Sequence, residues 1–165
     1  MNDVIVYPTD TVYGIGCNAL RKDLVEKIYV VKGRSEDKPV SVIAPSKKWI
    51  LENFLVSKDL VDKYLPGPFT LIVRKKDVGF LDYIAPIFIG VRIPDHDFSK
   101  MVSKIGVPFV TTSANFSGER AASKVSDLKK SFVESVVLVV DGGSTLGVGS
   151  TLIDLRDGLK VVERD

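Results

Sequence analysis

The longest apolar runs in this 165-residue chain are only strand-sized, and most give way to proline, glycine or a cluster of small polar residues. A membrane-spanning helix needs about 20 consecutive apolar residues, so none is expected, and a fold assembled from short elements is. Strands are predicted at Asp3–Tyr7, Val40–Ala44, Phe69–Val73, Ile87–Ile93, from Val107 to Val110, Val136–Val140, Thr151–Leu155 and Leu159–Glu163, the last two joined by a turn at Asp157-Gly158. Helices are predicted between them. Leu20, Leu24, Ile28 and Val31 form one helical stripe; Ser46 caps a short helix through about Phe54; Ser57 caps another, stopped by Pro66-Gly67-Pro68. Further helices are expected at Asp97–Ile105, capped by Asp97 and closed by Gly106, and at Ser123–Phe132.

Composition narrows the classes. A hydrophobic fraction of 45% and a charged fraction of 27% suit a soluble globular protein of one domain, residues 1–165, rather than a disordered or membrane chain. A formal net charge of +2 creates no strong global field, so any basic site must be local. One cysteine, Cys17, and one histidine, His96, exclude an internal disulfide, a Cys-based zinc site and a His-rich metal site. Cys17 sits in an apolar stretch and is expected in the core, and His96, within Pro94-Asp95-His96-Asp97, is expected to be a polar turn residue. Val4-Ile5-Val6-Tyr7 is too short for a signal peptide and no charged leader precedes it, so the cytoplasm is the expected compartment.

Polar side chains collect where the predicted strands end. The loop Pro8-Thr9-Asp10-Thr11-Val12-Tyr13-Gly14 carries two hydroxyls, a carboxylate and a phenol directly after a strand, where α/β proteins commonly place ligands. Five hydroxyl or amide side chains follow another strand in Thr111-Thr112-Ser113-Ala114-Asn115-Phe116-Ser117-Gly118. Arg92, in an apolar strand, needs an anion or acceptors if buried, whereas an edge strand would leave it in water. Lys32-Gly33-Arg34 follows a helical stripe, and Gly33 can end that helix in the left-handed conformation. If the chain then continues extended, Lys32 and Arg34 point to one side and offer an ammonium and a planar fork to one anionic group. On the tripeptide alone, a solvated helix end is the simpler reading. Arg74-Lys75-Lys76 reads as a solvated strand end.

Three cations among small hydrogen-bonding groups suit a ligand with several anionic oxygens, such as a nucleoside triphosphate beside a carboxylate. The glycine-rich stretch Gly142–Gly149 lets backbone approach a ligand, yet neither a P-loop pattern nor a Rossmann glycine pattern occurs. A Ser-His-Asp triad would have to use His96, and nothing in the sequence places it near Ser113. The residues alone therefore reach binding of a phosphorylated or carboxylated small molecule, and no further.

Six motifs, in order, resemble those of the YrdC-like threonylcarbamoyl-AMP synthases: Pro8-Thr9-Asp10-Thr11-Val12-Tyr13-Gly14, Lys32-Gly33-Arg34, Pro66-Gly67-Pro68-Phe69-Thr70-Leu71, Val91-Arg92-Ile93-Pro94, Ser113-Ala114-Asn115-Phe116-Ser117-Gly118 and Ser150-Thr151. The resemblance implies an α/β fold, a twisted mixed sheet with flanking helices around a deep, positively charged cavity. It implies an enzyme that joins L-threonine, bicarbonate or carbon dioxide, and ATP into threonylcarbamoyl-AMP and pyrophosphate, for threonylcarbamoyladenosine in tRNA. By position, Lys32, Arg34, Ser113 and Asn115 match the family's catalytic and ATP-handling tetrad, with Arg164 also on the nucleotide side. Thr9, Lys38, Arg92 and Ser150 match the threonine side. ATP would arrive as a substrate with Mg2+, with no permanently bound cofactor and no protein-held metal. A downstream tRNA-modifying transferase complex is the implied partner, with tRNA itself a further candidate, and no membrane is involved.

In that chemistry the threonine amine, once deprotonated, attacks carbon dioxide, the carbamate oxygen attacks the α-phosphorus, and pyrophosphate leaves. Positioning and electrostatic stabilisation would supply most of the rate, and loss of one such donor as in Lys32→Ala or Arg34→Ala would cost ~3 kcal/mol. Ser35 stands where the family usually has proline, and Gly149 where an acid often precedes Ser-Thr. The chain is also expected to lack the helix that commonly precedes the first motif and the C-terminal domain some members carry. Two alternatives differ in class. A double-stranded RNA- or tRNA-binding module is disfavoured by the near-zero net charge, and a carbamoyl-transfer enzyme using carbamoyl phosphate lacks its usual companion modules here.

Overall fold

The computed structural model describes residues 3–33, 35 and 40–164. Among the described residues ten strands and five α-helices follow in order: β1 (Ile5–Tyr7), β2 (Gly14–Gly16), α1 (Lys22–Lys32), β3 (Ser41–Ile43), α2 (Lys47–Asn53), β4 (Phe54–Leu55), α3 (Lys58–Tyr64) and β5 (Phe69–Lys75). They are followed by β6 (Phe88–Arg92), α4 (Asp97–Ile105), β7 (Phe109–Ser113), α5 (Lys130–Val133), β8 (Leu138–Val139), β9 (Thr151–Asp154) and β10 (Lys160–Val162). The sheet is mixed, in the order β10-β9-β5-β6-β3-β7-β2-β1-β8, with β4 added to β5. The expected α/β fold with a mixed sheet and flanking helices is what forms.

Several local expectations hold because the local chemistry is strong. Ser46 accepts a hydrogen bond from the Trp49 N–H at 3.0 Å and Ser57 one from the Leu60 N–H at 3.3 Å, so each hydroxyl satisfies an orphan donor of its helix. Gly33 ends α1 in the left-handed region at φ +56°, its N–H turned back to Tyr29 and Val30 carbonyls. Cys17 is fully buried in the main core with Tyr13, Ile15 and Ile28.

Other expectations are corrected. Helix α4 is capped not by Asp97 but by His96, whose Nδ1 accepts the Phe98 N–H at 3.2 Å; Asp97 is its first residue and pairs with Lys100 at 2.7 Å. The long helix expected over Ser123–Phe132 is broken into a 3₁₀ turn at Val125–Asp127 and the short α5. Its cause is Asp127, whose carboxylate accepts the Ser123 and Lys124 N–H groups and closes a turn, after which Leu128 and Lys129 are extended. Lys75 is not a solvated strand end. It is buried in an extended β5, its ammonium donating to the Val78 and Phe80 carbonyls at 2.9 Å each, which folds the following loop back over the strand. Burial holds its pKa below the usual lysine range.

Strand β2 lies where a continuous loop was expected to run into Gly14, and β7 runs on through Thr111, Thr112 and Ser113. Two polar segments thus become paired strand ends. Strands β2 and β7 are antiparallel with Gly14 opposite Ser113, and the Ala114 N–H extends the ladder to the Tyr13 carbonyl at 2.8 Å. Their approach requires glycine at position 16, where a Cβ would stand 1.9 Å from the Val110 carbonyl oxygen. A second core cluster joins β1, β3 and β7 to α4: Tyr7 stacks on Phe98 with centroids 3.8 Å apart, and Phe109 meets both edge-on.

Burial pushes the Cys17 thiol up to about 12. A thiol reagent near pH 8 is expected to leave Cys17 unmodified in the folded protein and to label it fully in denaturant. Rapid labelling of the folded protein would contradict its place in the core.

Candidate active site

The strand ends enclose a cavity of about 660 Å³, open on one side. Thr9 and Thr11 come from the β1–β2 turn, Arg92 from the end of β6, Ser113 and Asn115 from the end of β7 and its loop, and Ser150 and Arg164 from the two ends of the β9–β10 hairpin. Among the described residues, three arginines, Arg92, Arg120 and Arg164, line it against one carboxylate, Glu119.

At one end the groups are small and tightly organised. Thr9 Oγ1 lies 3.0 Å from Thr11 Oγ1 and donates to the Val12 carbonyl at 2.8 Å, closing the turn on itself. Arg92, 6% exposed, donates from Nη1 to Thr11 Oγ1 at 3.1 Å and from Nη2 to Asp10 Oδ1 at 2.5 Å. Its Nε is buried without an acceptor among the described residues, although a buried donor ordinarily finds one. Burial lowers the Arg92 pKa and the nearby Asp10 acts in the opposite sense. An arginine guanidinium keeps its charge at neutral pH. Ser150 Oγ lies 2.7 Å from Thr70 Oγ1, and Arg164 donates from Nε to the Ser150 carbonyl at 2.7 Å and from Nη2 to the Ser150 hydroxyl.

At the other end stands the loop after β7. Ser113 Oγ donates to Asn115 Oδ1 at 2.5 Å, and Asn115 Nδ2 to the Glu119 carbonyl at 2.6 Å. Lys32 supports this loop. Its ammonium donates to the Ser113 carbonyl, to the Asn115 carbonyl at 2.9 Å and to Asn115 Oδ1 at 3.1 Å, while its own carbonyl accepts the Ser117 N–H at 2.8 Å. At 2% exposure it is behind the wall rather than among the described residues that line the cavity. Helix α1 ends at Gly33 where it does so that Lys32 can reach that loop.

Thr9, Arg92, Ser113, Asn115, Ser150 and Arg164 are thus brought to one cavity. Arg34 and Lys38 lie outside the described residues. Thr11, one of the loop hydroxyls the sequence points to, also lines the cavity; Thr70 lines it too, and although it lies inside a motif the sequence gives it no role. Arg120 carries no sequence signal, being one arginine in an irregular loop. Among the described residues no three His, Cys, Asp or Glu side chains gather as metal ligands. No helix among them is long and apolar enough to cross a membrane.

The family model Sua5/YciO/YrdC, described as "Telomere recombination", matches residues 1–165. The chain belongs to the Sua5/YciO/YrdC family. It is 38% identical over 158 residues to a relative from Methanocaldococcus jannaschii, covering 93% of this chain and 75% of that one. To the protein named threonylcarbamoyl-AMP synthase in Bacillus subtilis it is 34% identical over 173 residues, covering 99% of this chain and 49% of the other. The structure of Pyrococcus abyssi Sua5 with L-threonine superposes with a TM-score of 0.82 at 30% identity, covering 94% of this chain and 48% of that chain. This member of the Sua5/YciO/YrdC family therefore spans about half the length of the Bacillus and Pyrococcus relatives.

Each buried carbonyl deprived of its donor costs about 1–3 kcal/mol. Lys32→Met leaves the Ser113 and Asn115 acceptors in that state, so urea denaturation is expected to show a loss of about 2–4 kcal/mol. An unchanged midpoint would mean that Lys32 does not support the loop.

Proposed function

We propose that this chain is a threonylcarbamoyl-AMP synthase, making threonylcarbamoyl-AMP and pyrophosphate from L-threonine, bicarbonate or carbon dioxide, and ATP. The observation that carries the reading is the buried Arg92 guanidinium, with a donor still unused, among the hydroxyls of Thr9, Thr11, Thr70 and Ser150. A charged planar fork in a poorly hydrated corner suits a carboxylate, and short hydroxyl side chains around it suit the ammonium or amine and hydroxyl of a small amino acid. The L-threonine complex of P. abyssi Sua5 and the names of the relatives support that assignment.

The rest of the cavity is large enough for a nucleotide beside the amino acid. Thr9, Lys38, Arg92 and Ser150 hold the threonine, and Lys32, Arg34, Ser113, Asn115 and Arg164 serve the nucleotide. Magnesium enters with ATP as part of the substrate. Lys32 contributes by holding the Ser113–Asn115 segment, and Arg34 by meeting phosphate charge directly. The neutral threonine amine forms an N–C bond to carbon dioxide and gives its surplus proton to water, and a carbamate oxygen so formed attacks the α-phosphorus. As that bond forms, the bond from the α-phosphorus to the oxygen bridging it to the β-phosphorus breaks, and pyrophosphate leaves with that oxygen. The product would pass to a tRNA-modifying transferase complex in the cytoplasm.

Incubation with ATP, magnesium, L-threonine and labelled bicarbonate is expected to yield pyrophosphate and a labelled adenylate, both dependent on threonine. Arg92→Ala is expected to lower kcat/KM for threonine by about a hundredfold, the scale of ~3 kcal/mol for one charge-assisted donor. Pyrophosphate release indifferent to threonine would defeat the assignment.

A further inference from the structure

Asp10 lies between two threonines that line the cavity, yet it is not itself among the lining residues. Its side chain is 11% exposed, and both of its oxygens are engaged: Oδ1 accepts from Arg92 Nη2 at 2.5 Å, and Oδ2 accepts the Asp95 main-chain N–H at 3.0 Å. The β1–β2 turn is thereby tied to the segment that leaves β6. That segment is held elsewhere by main-chain bonds, the Ala44 N–H to the Arg92 carbonyl and the Gly67 N–H to the Ile93 carbonyl, each at 2.9 Å. Thr11 accepts from the other terminal nitrogen, Nη1, at 3.1 Å. A planar guanidinium gripped at two nitrogens by two acceptors has its plane fixed. Arg92 lines the cavity, while its Nε lies buried with no acceptor among the described residues.

We propose that Asp10 is a positioning residue for recognition of the substrate carboxylate: by bridging Arg92 to the Asp95 amide it fixes the plane in which Arg92 offers its remaining donors to an amino acid. This rests on the threonylcarbamoyl-AMP reading. Asp10 does not touch the amino acid, so its removal acts on carboxylate affinity through Arg92 and leaves the nucleotide end, organised by Lys32 and Asn115, unaffected. Loss of a merely structural ion pair would lower stability without changing which substrate is preferred.

The test compares wild type, Asp10→Asn and Asp10→Glu in calorimetric titrations with L-threonine, with L-threoninol, which has an alcohol in place of the carboxylate, and with an ATP analogue. Asn keeps the size but loses the charge, so threonine affinity is expected to fall about tenfold or more while threoninol and nucleotide affinities stay within about twofold. Glu keeps the charge one methylene further out and is expected to recover part of the loss. If Asp10→Asn does not fold, Asp10→Glu carries the same comparison with a smaller threonine-specific loss. Equal threonine affinity in wild type and variants, or a loss shared equally by all three ligands, overturns the inference while leaving the functional reading intact. Wild type that binds neither threonine nor threoninol overturns both.

Discussion

A lysine ammonium removed from water must find acceptors or lose its charge, and Lys32 finds three in the loop after β7. Those acceptors include the main-chain carbonyls of Ser113 and Asn115, so a shift of the loop would break the bonds through which the cation holds it. Helix α1, the end of β7 and one wall of the cavity are consequently one mechanical unit. Gly33 is part of that arrangement: its left-handed backbone stops the helix at the residue whose side chain and carbonyl both engage the loop.

The opposite end of the cavity follows the same logic with a different cation. Arg92 is charged and buried, and Asp10 and Thr11 supply acceptors for its two terminal nitrogens. A buried ion pair is a weak source of net stability, because desolvation offsets most of the attraction. Its value here is geometric. The pairing of β2 with β7 sets the distance between the two ends, since Gly14 lies opposite Ser113 and the turn bearing Thr9 to Thr11 cannot move independently of the loop bearing Ser113 to Asn115. A rigid sheet thus presents one cation at the surface of the cavity and uses another to shape it.

Much of this is legible in the chain. Strand-sized apolar runs with polar residues at their ends announce an α/β fold whose ligands lie at strand termini, and Ser46, Ser57, Gly33 and Gly106 mark helix ends by their own chemistry. The ordered motifs point to the residues the cavity collects. What stays hidden depends on partners distant in sequence. Lys75 reads as solvated because its carbonyl partners are invisible until the loop folds back, and Lys32 reads as a ligand-facing cation because nothing local shows that Asn115, 83 residues away, takes its ammonium. The helix expected over Ser123–Phe132 fails for the converse reason: one local carboxylate, Asp127, competes with the helical pattern and wins. Asp10 is hidden in plain view, its role set by Arg92 on a strand 82 residues further on.

The measurement that bears most directly on this account is a crystal structure of the protein with L-threonine and a non-hydrolysable ATP analogue bound together. The account predicts the threonine carboxylate on the Arg92 guanidinium, its hydroxyl among Thr9, Thr11, Thr70 and Ser150, and the nucleotide phosphates toward Ser113 and Asn115 with Lys32 still holding their carbonyls. Phosphates seated on Arg92 with threonine displaced to the Ser113 end, or ligands bound outside this cavity, would contradict it.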